Sequence, residues 1–184
     1  MPMQPKVYST KEAGFTLVEV LVGLVVITGF ITTAMQAFVA ATAFKVKGQE
    51  LSEATTWIQE DLERVKYEAN KLDFDGSSYI LGLIALKSCQ ATSKEEGYAA
   101  RLQDRINSNA PVDTNKTSTI GNRPYIFTRT SSLPSTAPFN FLAVKYEVES
   151  ADALAAALAA NEPPPPPIAI TQAKVIPDAS LACP

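Results

Sequence analysis

From Val20 to Phe44 the chain runs without a charge or a proline. As a helix rising about 1.5 Å per residue, that stretch is long enough to cross a hydrocarbon core of about 30 Å. Beyond it, Leu51, Ala54, Ile58, Leu62, Val65, Ala69 and Leu72 recur at steps of three and four, which predicts one apolar stripe on a continuing helix. The residues between them, Glu50, Glu53, Glu60, Asp61, Glu63, Arg64, Lys66 and Glu68, read as a solvated face, with Glu60 and Arg64 at a supporting i,i+4 spacing. One helix from Phe15 to about Leu72 would be on the order of 85 Å long, with Gly48 as a place where it could bend.

After Gly76 the period is lost, and residues 77–122 are irregular apart from a short helix expected around Tyr98 to Ile106. Strands are then expected over 124–129, over 139–149, where Leu142, Val144, Tyr146 and Val148 alternate with polar or small neighbours, and over 168–176. No helical pattern between them is long enough for parallel crossovers, so an antiparallel sheet laid on the amphipathic half of the helix is predicted, an α+β fold. Residues 151–167, alanine-rich and then five prolines, are expected to leave the sheet as a loop, helical at first if at all and then polyproline II.

The apolar run has an anomaly at its start. Glu19 costs about 2.5–3.5 kcal/mol if it lies well inside a membrane helix. A cleaved secretory signal would use Lys6 and Lys11 as its basic region and Ala40-Ala41-Thr42-Ala43 for cleavage, but the run is longer than the usual apolar core of about 7–15 residues and Glu19 would fall inside it. A permanent anchor explains the length, and leaves Glu19 to reach back to the headgroups. A membrane segment cut by a dedicated peptidase is the third reading.

That third reading comes from Gly14-Phe15-Thr16-Leu17-Val18-Glu19, which resembles the processing motif of type IV prepilins and type II secretion pseudopilins. The resemblance implies a leader of residues 1–14, cleavage between Gly14 and Phe15 by a prepilin peptidase, and methylation of the new Phe15 amine. Gly14 lacks a side chain and lets a peptidase approach the extended backbone. Cleavage also creates an ammonium at the membrane end of the helix, and the resemblance implies that Glu19 pairs with this amine on a neighbouring subunit as a filament grows. The family fold implied is a long N-terminal helix packed against a small antiparallel sheet.

The expected organisation is therefore a leader (1–14), a transmembrane and filament-core helix (15–44), its amphipathic continuation (45–72) and a periplasmic domain (73–184) containing the proline-rich loop. Partners implied are other pilins or pseudopilins, the peptidase, an inner-membrane assembly platform and its ATPase. Lys6 and Lys11 before the membrane run are balanced by Lys45 and Lys47 after it, so a single-pass inner-membrane orientation with the domain outside rests on the resemblance. Gln36 stands where major pilins commonly have a proline, so no kink is expected there and a minor subunit or pseudopilin fits better than the bulk subunit of a long flexible pilus. Gly29, Thr33, Ala37 and Ala41 form a small-residue stripe that would admit another helix or is ordinary membrane composition. Further along, Ala54–Ala69 and Ile120–Thr130 look similar to segments of cyanobacterial pseudopilins linked with hormogonium polysaccharide secretion.

Composition narrows the chemistry. The chain has no histidine, which removes Ser-His-Asp and Cys-His catalysis and histidine-containing zinc sites. No catalytic, cofactor or metal residues are identified. A net charge of −3 without a polybasic run gives no footprint for nucleic acid. Cys89 and Cys183, in no CxxC pattern, are candidates for a disulfide if the domain faces an oxidising compartment; a stapled C-terminus is common in pilin-like domains. A membrane-anchored binding module that never polymerises is the alternative to a filament subunit.

Overall fold

One uninterrupted helix, α1 (Leu17–Asn70), begins the computed structural model, which describes residues 16–79, 82–112 and 117–184. The helix passes Gln36 and Gly48 without interruption. The chain divides into two compact units, Met1–Lys45 and Val46–Pro184.

In the first unit an 18-residue window of α1 is long and apolar enough to span a membrane, and none of it is buried in protein. Leu21, Phe30, Met35 and Phe38 are all exposed. Its threonines hide their hydroxyls within the helix: Thr28 Oγ1 donates to the Leu24 carbonyl (2.9 Å), Thr32 Oγ1 to Thr28 (2.8 Å) and Thr33 Oγ1 to Gly29 (3.1 Å). That suits a segment surrounded by lipid, where an unsatisfied polar group is costly.

The second unit is an α+β domain. The remainder of α1 supplies Ala54, Ile58, Val65 and Ala69 to the core. Two short helices follow, α2 (Leu83–Cys89) and α3 (Tyr98–Asn109). A four-stranded antiparallel sheet in the order β1-β2-β3-β4 comes next, built from β1 (Thr117–Ile120), β2 (Arg123–Ser132), β3 (Leu142–Ser150) and β4 (Ala169–Val175). Between β3 and β4 lies α4 (Ala151–Ala160), and a short 3-10 turn (Asp178–Ala182) leads to the C-terminus. Leu142, Val144, Tyr146 and Val148 alternate inward along β3 and are buried, as their period-two spacing predicts.

The segment expected to be irregular holds α2 and β1 as well as α3. The strand β1 is set by its turn: Gly121 (φ 53°) and Asn122 (φ 70°) form a two-residue loop with both residues left-handed, the geometry that matches the twist of a hairpin. It brings Ile120 opposite Arg123 and adds a fourth strand to the sheet. Loop 151–167 begins with a full helix, capped by Ser150, whose Oγ accepts from Ala153 N–H (3.4 Å), and closed by left-handed Asn161.

At the start of α3 the backbone comes close to the approach to β3. Ala99 N–H donates to the Phe139 carbonyl (3.0 Å), and a Cβ on Gly97 would overlap the Phe139 carbonyl oxygen and Cβ. Because the obstacle is partly backbone, Gly97→Ala is expected to destabilise the domain by about 1–3 kcal/mol. A thermal melt within a degree of wild type would contradict this.

Candidate functional site

At the head of α1, Glu19 is exposed in the first helical turn. Thr16 caps that turn: its carbonyl accepts from Glu19 N–H (3.0 Å) and Val20 N–H (3.3 Å), and its Oγ1 lies 3.3 Å from the same Glu19 nitrogen. Thr16-Leu17-Val18-Glu19 thus has the Thr-x-x-Glu spacing of a capping box, with the threonine half formed. A carboxylate here also faces the positive end of the helix dipole. Gly14 and Phe15 lie outside the described residues.

The domain is fastened to α1 by charge. Glu50, Asp61 and Glu68, expected on a solvated face, are instead turned inward, and Leu51, expected on the stripe, is exposed. Arg129 Nη1 on β2 donates to Asp61 Oδ2 (2.8 Å) and its Nη2 to the Ala110 carbonyl (2.7 Å). With side chains only 5% and 9% exposed, Arg129 and Asp61 form a buried ion pair. Arg105 on α3 holds Glu68 (2.7 Å), and Arg101 holds Asp73, just after α1, through two parallel bonds of 2.6 and 2.5 Å. Arg123 approaches Glu50 less closely, at 3.7 Å. Every arginine except Arg64 thus faces an acid on α1 or its exit. On the outer surface the i,i+3 pair is Glu63 with Lys66 at 2.7 Å, in place of the expected Glu60 with Arg64.

Tyrosines line these pairs. Tyr146, stacked on Phe127 with centroids 5.8 Å apart, lies against Asp61 and Arg129; burial, then the charge of Asp61, push its phenol well above the ordinary range, although the hydroxyl makes no hydrogen bond of good geometry. Tyr98 is raised in the same way, first by burial and then by Asp73. These phenols stay neutral beside the ion pairs, and their bulk lowers the polarity around charges that interact more strongly there than in bulk solvent.

Glu68 shows the balance of forces. Burial pushes its carboxyl up, but hydrogen bonds from Arg105 and from Asn109 (3.1 Å) outweigh it and hold the pKa below the ordinary value. A carboxyl depressed in the folded state stabilises the fold above its unfolded pKa, and that contribution is lost as pH falls through the folded value. Glu68→Gln should therefore flatten the acid side of the stability profile below about pH 4.5; an unchanged slope there would exclude Glu68 as a contributor.

At the far end of the chain, Cys89 and Cys183 are joined across a separation of 94 residues, and Tyr79 Oη donates to Asp178 Oδ2 (3.1 Å). The C-terminal turn is thereby tied to the region just after α1. Loop closure of this length contributes up to about 4.7 kcal/mol in the chain-entropy account. Cys89→Ser with Cys183→Ser is expected to lose a few kcal/mol of that, read as a lower urea midpoint, while a wild-type chain whose mobility does not change on reduction would argue against the bond forming.

Residues 9–28 match the family model described as the prokaryotic N-terminal methylation motif. The chain carries the N-terminal motif of type IV prepilins and pseudopilins. The motif implies prepilin peptidase and other pilins as partners of this pilin-like chain. Its long apolar helix fits a single-pass membrane anchor, and its α+β domain, a long helix with a small antiparallel sheet, is pilin-like. No curated protein and no solved structure matches the chain.

Proposed function

We propose that this pilin-like chain is a minor pilin or pseudopilin, a structural subunit that polymerises into a short filament and drives export of a protein, a polysaccharide or a pilus. The observation that supports this most directly is that the matched motif, residues 9–28, runs straight into α1. One helix thus begins within the motif, would cross the membrane and supplies residues to the core of the domain. Gly14 would be the last leader residue and Phe15 the first mature one, its amine methylated. The domain would stand on the periplasmic side, and an assembly platform with its ATPase would lift subunits from the membrane.

The Arg129–Asp61 pair supports a mechanical role, because a force applied to α1 reaches the sheet through a buried ion pair as well as through apolar packing. Sequencing the N-terminus of the mature chain tests the processing step. Phe15, N-methylated, is the expected result. A start after Ala41 or Ala43 would make the chain a secreted protein, and an intact Met1 or Pro2 would make it a plain anchor; either overturns the proposal.

A further inference from the structure

Glu162 to Pro167 form a rigid rod. Glu162, Pro163, Pro164, Pro165 and Pro166 each precede a proline, which disfavours the α region, and each proline fixes its own φ near −65°. Among the described residues the cis peptide bond lies elsewhere, at Ala137-Pro138, so the segment is trans and takes the polyproline II form. Both ends are tied down. Glu162 N–H donates to the Ala157 carbonyl (2.9 Å) and Ile168 N–H to the Val148 carbonyl (2.8 Å). Polyproline II has three residues per turn, so Pro163 and Pro166 share a ridge, and both are exposed, while Pro165 and Pro167 are half-buried. Before the prolines, α4 leaves Ala155, Leu158 and Ala159 exposed, and its one charged residue is Asp152.

The same domain holds a cleft suited to such a rod. It is lined by Trp57, Pro111, Val112 and Phe127 together with the charged Glu60, Asp61 and Arg64. Trp57 and Phe127 are half-buried, and Arg64 is exposed. Aromatic-lined grooves are the usual receptors for polyproline segments, because the preformed rod loses little entropy on docking. Exposed Arg64 offers a charge opposite to that of the exposed acid Glu162 that leads into the prolines.

We infer that the polyproline arm of one copy docks in the Trp57–Phe127 cleft of a second copy. An arm fastened at both ends cannot swing into its own cleft, so the contact is between chains. Arm and cleft are different surfaces, so the contact is head-to-tail and propagates from copy to copy unless it closes into a ring. Confinement of copies by their membrane helices raises the local concentration, so a weak contact is sufficient. The inference goes beyond the processing reading and stands or falls separately from it, since neither surface involves Gly14, Phe15 or Glu19.

Trp57 is the single tryptophan, which gives a direct readout. The full-length chain in detergent micelles would be titrated with a peptide spanning Asn161 to Ile168, and the emission of Trp57 is expected to shift in a saturable way. A peptide with glycine and serine in place of the five prolines should leave it unchanged. With a fluorescein-labelled peptide read by anisotropy, Trp57→Ala and the surface variant Arg64→Glu are each expected to weaken binding about tenfold or more. No spectral change with the native peptide, or equal binding by wild type and Arg64→Glu together with Trp57→Ala, would overturn the inference. Binding of the native peptide at a site that leaves Trp57 unperturbed would overturn it as well.

Discussion

Replacing Arg129 by methionine is expected to cost the domain about 3–5 kcal/mol, because it leaves Asp61 charged and buried with nothing to compensate it. A domain of this size has about 5–15 kcal/mol in all, so the variant should approach the edge of folding. The size of the loss follows from burial: Arg129 and Asp61 side chains are 5% and 9% exposed, whereas exposed pairs such as Glu63 with Lys66 contribute about 0–1 kcal/mol. The Ala110 carbonyl would lose its donor as well. A second substitution sharpens the test. Adding Asp61→Leu removes the stranded charge, and replacing a whole buried pair by apolar groups is often neutral or stabilising, so the double variant should recover most of the loss. Urea unfolding of the full-length chain in micelles, followed by Trp57 emission, gives both numbers. A single-variant loss below about 1 kcal/mol, or a double variant no better than the single, would show that the pair does not behave as a buried one.

That pair also marks where reading by residue type fell short. Ile58, Asp61 and Val65 are separated by three and four residues, so Asp61 has the helical phase of the apolar stripe; Glu50, four before Ala54, has it too. Sorting positions by polarity assigned both to solvent, whereas sorting by phase alone would have turned them inward and asked for cations. Leu51 is the converse case, three before Ala54 and so in phase with the stripe, yet exposed. The partners could not be read, because Arg105, Arg123 and Arg129 reach α1, and Arg101 its exit at Asp73, only once the hairpin and α3 have folded back over it. The strands β2, β3 and β4 were legible since their alternation is local. The strand β1 is four residues long, too short for a period, and its legible signal was the Gly121-Asn122 turn. At the membrane end Glu19 stands out because it breaks an apolar run, while its relation to Thr16 lies in a spacing of three residues inside the same motif.

Glu19→Ala is expected to leave processing intact and to lower incorporation into filaments by roughly 100- to 4,000-fold. The estimate follows if Glu19 pairs with the amine of a neighbouring subunit in the assembled core. Removing one partner of a buried pair then costs about 3–5 kcal/mol, and each 1.4 kcal/mol is a factor of ten in association. The bond of Glu19 N–H with Thr16 supplies a competing explanation, since Glu19 holds the glutamate position of a capping-box spacing. Loss of a cap costs typically about 1 kcal/mol, far less than the pair, and glutamine serves at that position nearly as well as glutamate. Glu19→Gln therefore separates the two. Charge pairing predicts that Gln fails like Ala, because a neutral amide leaves the ammonium uncompensated; capping predicts that Gln behaves as wild type. Membrane insertion supplies an independent check of opposite sign. Both substitutions remove a charge that opposes insertion by about 2.5–3.5 kcal/mol at depth, so the monomer should enter the membrane at least as well as wild type. Filament yield is measured against the pool of processed monomer, so that insertion and assembly are read separately. Wild-type yield from Glu19→Gln would assign Glu19 to the helix end and remove it from the subunit interface.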